Sequence, residues 1–499
     1  MRIKIAFCLL WIGMLAVSVE SYAQDNIVVT GIVTDSVTHE PLAGATLYVK
    51  KISQGVVTDE NGEFSLRFPP GSALVVSYVG YQTKTINLSE SKPDMNIRLF
   101  SQQMLGEVVV TSRKTSVASV MMGVEKLDMP QIKKMPALMG EVDIIKAIQL
   151  LPNVQPTSEG GSGFSVRGAS PDQNLILLDN ATIYNASHFI GFFSVFNNDI
   201  ISGLELYKGD IPVKYGGRLS SLLDVKTLEE APERFTGTGG LGLISSRLML
   251  QGPVGENTTW LIGGRRSYMD LFLRASSDKD INNTTLYFYD LNAKMTHRFS
   301  SKDKLSFNFY TGRDAFGADI FDFRYGNLAS TLSLGHTIRE NLYSNFSLNV
   351  SDYKYGIKTD IEGGTIDWRS SITDAMLRAD FSHDLNPQVN LSYGLTSTVH
   401  NFNPGDMKSK EMSDYKVPET YALEHGLYLS NEQKMTEDFT LRYGLRYALF
   451  QNVGKIRHEY HRFDPRVGAV YLLPGNSSVK ANYARNTQFL QMASVSSVN

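Results

Sequence analysis

Phe439-Thr440-Leu441-Arg442-Tyr443-Gly444-Leu445-Arg446-Tyr447-Ala448-Leu449 alternates without a break. Phe, Leu, Tyr, Leu, Tyr and Leu fall on one face of an extended chain, and Thr, Arg, Gly, Arg and Ala fall on the other. Aromatics and leucines opposite guanidinium groups read as lipid outside and water inside. The same dyad recurs at 287–299, with Asp290, Asn292, Lys294, Thr296 and Arg298 on the wet face, and again at 305–309, 346–350 and 389–395. Between Phe235 and Gln491 the pattern predicts about twelve strands. Short turns (Asn386-Pro387, Pro474-Gly475-Asn476) on one side and long polar loops on the other complete the reading of a transmembrane β-barrel. A soluble all-β domain is the competing reading, and it does not account for so many aromatics opposite an Arg/Lys/Asn face.

Composition agrees. The 499 residues are 42% hydrophobic, 20% charged and 10% aromatic, with 24 Tyr and 25 Phe, too aromatic for disorder. Beyond the N-terminus no apolar run reaches the length of a membrane-spanning helix. A net charge of -3 gives no electrostatic case for nucleic acid.

Upstream of the barrel four segments follow one another. Arg2 and Lys4, the apolar stretch 5–19 and Ser21-Tyr22-Ala23 before Gln24 read as a secretory signal peptide over 1–23. Its removal takes away the single cysteine, Cys8, and leaves 46 basic against 50 acidic residues, a charge of -4. Residues 24–100 hold seven short strands, at 27–35, 45–51, 55–59, 63–68, 73–79, 82–88 and 95–100, which read as a small β-sandwich with a tight hairpin at Asn61-Gly62. Residues 101–114 form an extended linker carrying Glu107-Val108-Val109-Val110-Thr111. Four β-formers outside any hairpin suit capture by a partner's sheet edge, or packing as a linker strand on the chain's own sandwich.

Residues 115–228 read as a compact α+β unit. An apolar stripe of Ile144, Ile145, Ala147, Ile148 and Leu151 predicts a short helix that stops at Pro152-Asn153-Val154. Phe164-Ser165-Val166-Arg167-Gly168, the apolar strand 175–178, Asp179-Asn180 and Tyr215-Gly216-Gly217-Arg218 follow, with glycines at turns. The barrel region is then 229–499.

In this order the elements resemble the plug domain of TonB-dependent outer-membrane transporters, and Gly31 to Asp35, Pro41 to Ala45 and Ser77 to Tyr81 resemble the carboxypeptidase-regulatory-like domain. The combination resembles receptors of Bacteroidota, including the SusC-like branch. The resemblance implies a mainly β chain: a β-sandwich, an α+β plug, and part of a large transmembrane barrel of 22 strands. It implies an outer-membrane, multi-pass protein that imports a scarce or bulky ligand (siderophore, glycan or peptide), energised by a TonB-type periplasmic partner docking at Glu107 to Thr111. Arg167, Gly168, Asp179, Gly216, Gly217 and Arg218 are the plug's structural signature. Family members usually carry glycine where this chain has Asn153 and Asn180, and Asn tolerates the same left-handed backbone. Candidate ligand-contacting residues are the plug loop 155–163 and Tyr184, Asn185, His188, Phe189, Phe192 and Phe193, whose rings either stack on an extracellular ligand or pack the plug on the barrel wall. A surface lipoprotein is a further partner. The alternative function is a non-transporting surface adhesin or sensor.

Twelve strands enclose a backbone radius of about 12 Å, whereas a plug of this size has a radius of gyration of about 13 Å and twenty-two strands give about 22 Å. The expectation is therefore a barrel continued by further strands. No enzyme, cofactor or metal is expected. Gly237-Thr238-Gly239-Gly240-Leu241-Gly242 fits a dinucleotide pattern but leads into a strand at 243–250, where the glycines are read as letting the first barrel strand bend against the plug. His458 and His461 flank Glu459 in a stretch that reads as a loop, with the wrong spacing for zinc. Asp278, Asp280 and Asn282 lack the glycine of a calcium loop and read as a solvated acidic segment.

Overall fold

In the strand Glu63–Phe68 every second side chain, Phe64, Leu66 and Phe68, is buried, and Ser72–Ser77 repeats the rule with Ser72, Leu74 and Val76. The structure, a computed structural model, describes residues 27–35, 41–49, 54–69, 71–78, 81, 84–88, 92–99, 115–134, 142–157, 163–229, 234–318, 320–361, 364–386, 388–409, 415–454, 457–475 and 477–491. It falls into two units, residues 1–105 and 106–499.

In the first unit Ile27–Asp35 lies between Glu63–Phe68, antiparallel, and Lys92–Leu99, parallel. Gln54–Val57, Thr46–Val49, Ser72–Ser77 and Lys84–Leu88 form a second sheet in that order. Val29, Phe68 and Ile97 of the first sheet share one buried cluster with Leu47 and Leu74 of the second. The turn at Asn61-Gly62 differs from expectation: it joins strands of different sheets and is a corner, not a hairpin. Asp59 fixes that corner, its carboxylate accepting the Asn61 and Glu63 amides at 3.0 and 2.8 Å, and Gly62 takes φ +73°. A Cβ there would meet the Val33 carbonyl at 2.6 Å.

The second unit begins with an α+β layer. Its five-stranded sheet runs Ala181–Thr182, Asn174–Leu178, Ser221–Thr227, Ile201–Lys208, Val124–Asp128, with the second and third strands parallel. The helix Ile144–Gln149 buries Ile144, Ile145, Ala147 and Ile148 against Leu204, Leu206, Leu223 and Val225. Asp143 caps it, accepting the amides of Ile145 and Lys146 at 2.8 and 3.1 Å. Asn153 and Asn180 sit at φ +65° and +73°, the left-handed backbone read for them from the sequence.

Around this layer runs a single antiparallel sheet. Thirteen strands, from Thr236–Leu241 to Ser477–Ala484, pair in chain order, and the two-residue strand Tyr415–Lys416 joins at the side. That is one more than the expected twelve, because Thr236–Leu241 pairs as a strand of its own ahead of Ser245–Val254. Among the described residues its first and last strands each have a neighbour on one side only. The alternation appears as expected: in Phe439–Val453, Tyr443 and Leu445 are exposed outward while Arg446, Ala448 and Phe450 are buried inward. In Thr285–Arg298 the inward Asp290, Asn292, Lys294 and Thr296 are buried and the outward Leu291 and Met295 exposed.

Other details are corrected. The glycines 237–242 do not meet the α+β layer: a Cβ at Gly237 or Gly240 would touch Leu250 or Arg247 of the next strand, so they ease strand pairing. His461 lies within the strand Glu459–Leu473, not a loop, because residues 459–463 pair in register with the end of Phe439–Val453, His461 opposite Leu449. Asp278 accepts the Asp280 amide at 3.0 Å ahead of the short helix Lys279–Asn282. Turns at one end of the sheet hold two to four residues, as between Arg298 and Asp303 or Arg339 and Leu342. At the other end lengths vary, because the chain lengthens strands as well as loops: Gly364–Asn386 runs 23 residues, about twice what a bilayer crossing needs.

Candidate functional site

The α+β layer meets the inward face of the sheet through charged and hydroxyl groups. Three anchor points carry most of the seam.

The first is built on His188. Its imidazole lies between Asp314 (Nδ1 to Oδ2 2.6 Å) and Asp290 (Nε2 to Oδ2 3.2 Å), with Phe288 stacked at 4.4 Å. Arg265 donates to Asp290 at 2.9 Å and to the Ser194 carbonyl at 2.7 Å, and the Phe189 amide donates to Asp314 at 2.8 Å. Burial alone would favour neutral imidazole, but the two aspartates outweigh it and hold His188 above its ordinary 6.5. Nearby, burial pushes the Asp143 carboxyl up despite the Ser194 amide it accepts.

The second is a chain of hydroxyl, carboxylate and imidazole. Tyr184 donates to Asp374, which His400 meets at 2.7 Å, and the other ring nitrogen of His400 lies 3.6 Å from Glu424. Asn185 is tied to Asn327, whose amide donates to its carbonyl at 2.8 Å, and reaches the Tyr353 hydroxyl at 3.4 Å.

The third grips residues 210–217. Arg466 donates to the carbonyls of Ile211, Pro212 and Tyr215 at 2.5, 2.5 and 3.0 Å. Asp210 receives Arg442 at 2.5 Å, and Arg446 donates to the Lys214 carbonyl at 3.3 Å. The glycines make the approach possible: a Cβ on Gly216 would lie 2.5 Å from Arg446 Nε, and one on Gly217, at φ +81°, 3.3 Å from Glu424.

Of the residues singled out from sequence, Tyr184, Asn185, His188 and Phe189 come together on the sheet, Phe193 is buried beside Phe288 at 6.1 Å, and Phe192 is exposed. Asp179 binds the Thr227 amide and hydroxyl, and Lys294 of the sheet donates to that hydroxyl at 2.9 Å. Arg167, at φ +55°, lies where a Cβ on Gly209 would meet its guanidinium at 3.0 Å; Gly168 takes φ +75°; Arg218 donates to the Gly217 carbonyl. Glu107 to Thr111 and most of the loop 155–163 lie outside the described residues. Sequence reasoning placed Arg442, Arg446 and Asp290 on the wet face without partners, and missed Asp210, Arg265, Asp314, Asp374, His400, Glu424 and Arg466.

A pH prediction follows from the first anchor. Because the folded value of His188 is raised, its contribution is fully present below about 6.5 and is lost as pH rises through the raised value. Hydrogen-exchange protection of amides 187–194, corrected for intrinsic rates, should fall across that rise and lose its pH dependence in His188→Gln. Identical profiles for both proteins would refute the assignment.

Family comparisons coincide with these parts. A CarboxypepD_reg-like domain profile matches residues 29–110, a TonB-dependent Receptor Plug Domain profile 117–221, and a TonB dependent receptor-like beta-barrel profile 247–497. The TonB-dependent receptor SusC of Bacteroides thetaiotaomicron is 30% identical over 189 residues, 36% of this chain and 18% of that protein. A variant of the ferric enterobactin receptor PfeA of Pseudomonas aeruginosa superposes with a TM-score of 0.58 at 14% identity, covering 76% of this chain and 64% of that one. The ferripyoverdine receptor of the same organism gives 0.58 at 13%, covering 75% and 58%. This chain thus spans less than two thirds of each of these three proteins, and at such identities the structures speak to fold.

Proposed function

Since the chain belongs to the TonB-dependent receptor family, whose barrel profile matches half of it, we propose that it imports a scarce or bulky ligand across the outer membrane by moving its plug. Members of the family are outer-membrane receptors without catalytic chemistry, and so is this one. The observation that carries the transport reading is the seam itself. Beside smaller apolar patches at Ile200 and Phe288, the plug is held on the sheet by many ionic and hydroxyl contacts, which water can replace as they part, where a wholly apolar seam would resist opening. The periplasm holds no ATP, so the work of parting them comes from a TonB-type partner pulling on the extended segment 107–111. Within this reading the first unit is a β-sandwich, the sheet is part of a closed barrel of 22 strands, the residues Tyr184 to Phe193 face the ligand path, and a surface lipoprotein assists capture.

Val109→Pro tests it. The substitution removes one backbone donor and fixes φ, so strand addition to the partner fails while assembly and ligand binding persist. Uptake should fall to the level of cells lacking the receptor at unchanged surface abundance. Wild-type uptake would favour the non-transporting adhesin or sensor.

A further inference from the structure

The wall strand Ser477–Ala484 stops pairing halfway along its neighbour Glu459–Leu473. Its last residue, Ala484, stands opposite Arg466, and the Arg485 amide still donates to the Pro465 carbonyl at 3.1 Å. In an antiparallel ladder such a residue pair exchanges both bonds. Pro465 has no N–H to give back, so the Arg485 carbonyl receives nothing from it and the ladder ends there. On its other side Pro465 stands opposite Leu445, where its backbone nitrogen points away, and that pairing runs on unbroken to Glu459. Among the described residues, 459–464 therefore pair with Phe439–Val453 alone.

Freed from the wall, residues 486–490 turn inward, half-buried, and alternate between two surfaces. Thr487 donates to Asp464 at 2.7 Å and Phe489 stacks on Phe450 at 5.1 Å, both on the wall. Asn486 and Gln488 reach the plug. Asn486 Nδ2 donates to the carbonyls of Gly209 and Leu219 at 3.5 and 3.3 Å, and Gln488 Nε2 to the carbonyl and carboxylate of Asp172 at 3.2 and 3.3 Å. A period of two is that of an extended chain laid between the surfaces. The two plug loops it touches are already tied, the Ser220 amide donating to the Gln173 carbonyl at 3.0 Å. They lead into the plug's central parallel strands, which begin at Asn174 opposite Ser221.

This segment differs from the arginine anchors in two ways. Arg442, Arg446 and Arg466 stand on strands paired on both sides, whereas 486–490 belong to no strand and can withdraw without opening the sheet. Among the described residues Asn486 Oδ1 and Gln488 Oε1 are also buried with no partner, so leaving the plug returns two acceptors to water and offsets the donor bonds given up. We infer that residues 485–490 are a releasable strap by which the wall holds the plug at rest, and that Pro465 is the residue that positions it. The inference rests on the import reading, in which the plug moves.

Hydrogen exchange of the receptor purified from membranes in detergent is compared with that of two variants. Pro465→Ala restores the missing donor, so the ladder continues along 459–464. Amides of 486–490 should then exchange about tenfold slower, and those of 172–174 and 219–221 about tenfold faster. Opposed changes are what a relocated strap produces, since general loosening speeds both segments. Asn486→Ala/Gln488→Ala should speed the same plug amides by a similar factor without slowing 486–490. Unchanged exchange at 172–174 and 219–221 in either variant, or acceleration of both segments in Pro465→Ala, would overturn the inference. Exchange in detergent needs no energy coupling, so it is read independently of uptake: opposed exchange in a receptor that imports nothing strikes the import reading alone, and unchanged exchange in one that imports strikes the strap alone.

Discussion

Cysteines at Val120 and Gly468 are expected to abolish uptake when oxidised and to restore it when reduced. Val120 is buried at the start of the plug, and a Cβ built on Gly468 lies 3.4 Å from Val120 Cγ2 and 3.3 Å from its carbonyl oxygen. The Val120 Cβ is one bond from Cγ2, so the two Cβ atoms lie roughly 3.6–4.9 Å apart, a span that overlaps the roughly 3.5–4.5 Å of a disulfide, and the new side chain needs only a few tenths of an ångström of give from its neighbour. Residue 468 belongs to the wall strand Glu459–Leu473, and among the described residues Val120 is the first buried side chain after the segment 107–111. A pull applied upstream is then borne by the wall before it reaches the rest of the plug. The sequence's one natural cysteine is Cys8, so a Cys8→Ser background leaves no other thiol to compete. Ligand binding should be unchanged, and each single cysteine should import normally. Wild-type uptake by protein shown by mass spectrometry to be fully crosslinked would mean that the path opens without moving the plug's start, and the pulling mechanism would fall.

The strands were legible because alternation is a local property: each face can be read from five or six residues without knowing the neighbours, as at Tyr443 to Ala448. The same locality explains the miscount. Thr236–Leu241 is glycine-rich and carries no alternating apolar set, so only its pairing with Ser245–Val254 reveals it. Asn61-Gly62 signalled a turn correctly, but whether the flanking strands pair with each other depends on Thr58, which bonds to Ala45 and Leu42 and sends the chain into the other sheet.

Partners in the seam were not legible, since alternation assigns a face and not a neighbour. Asp210 and Arg442 are 232 residues apart, His188 and Asp290 102. Only the wrapping of the sheet around the plug brings them together. The aromatics at 184–193 show the same limit: the sequence left stacking on ligand and packing on the wall both open, and the structure puts His188, Phe189 and Phe193 against Phe288, with Phe192 turned outward.

The largest stability effect is expected at Arg265. Its guanidinium and the Asp290 carboxylate are both buried, and Asp290 draws its hydrogen bonds from Arg265 and His188. Arg265→Met preserves much of the side chain's length but leaves two buried aspartates facing His188 alone, and it withdraws the donor on the Ser194 carbonyl. Leaving a buried charge unpaired costs about 3–5 kcal/mol. Arg265→Met/Asp290→Asn removes the excess charge with the cation, so the double variant should recover part of that loss, the shortfall from additivity measuring the coupling. Thermal unfolding in detergent, followed by protease sensitivity of residues 184–199, reads both. A single variant within about 1 kcal/mol of wild type, the size of an exposed pair, would show that water already reaches Asp290 with the plug in place, and the reading of a buried, fully paired anchor would fall.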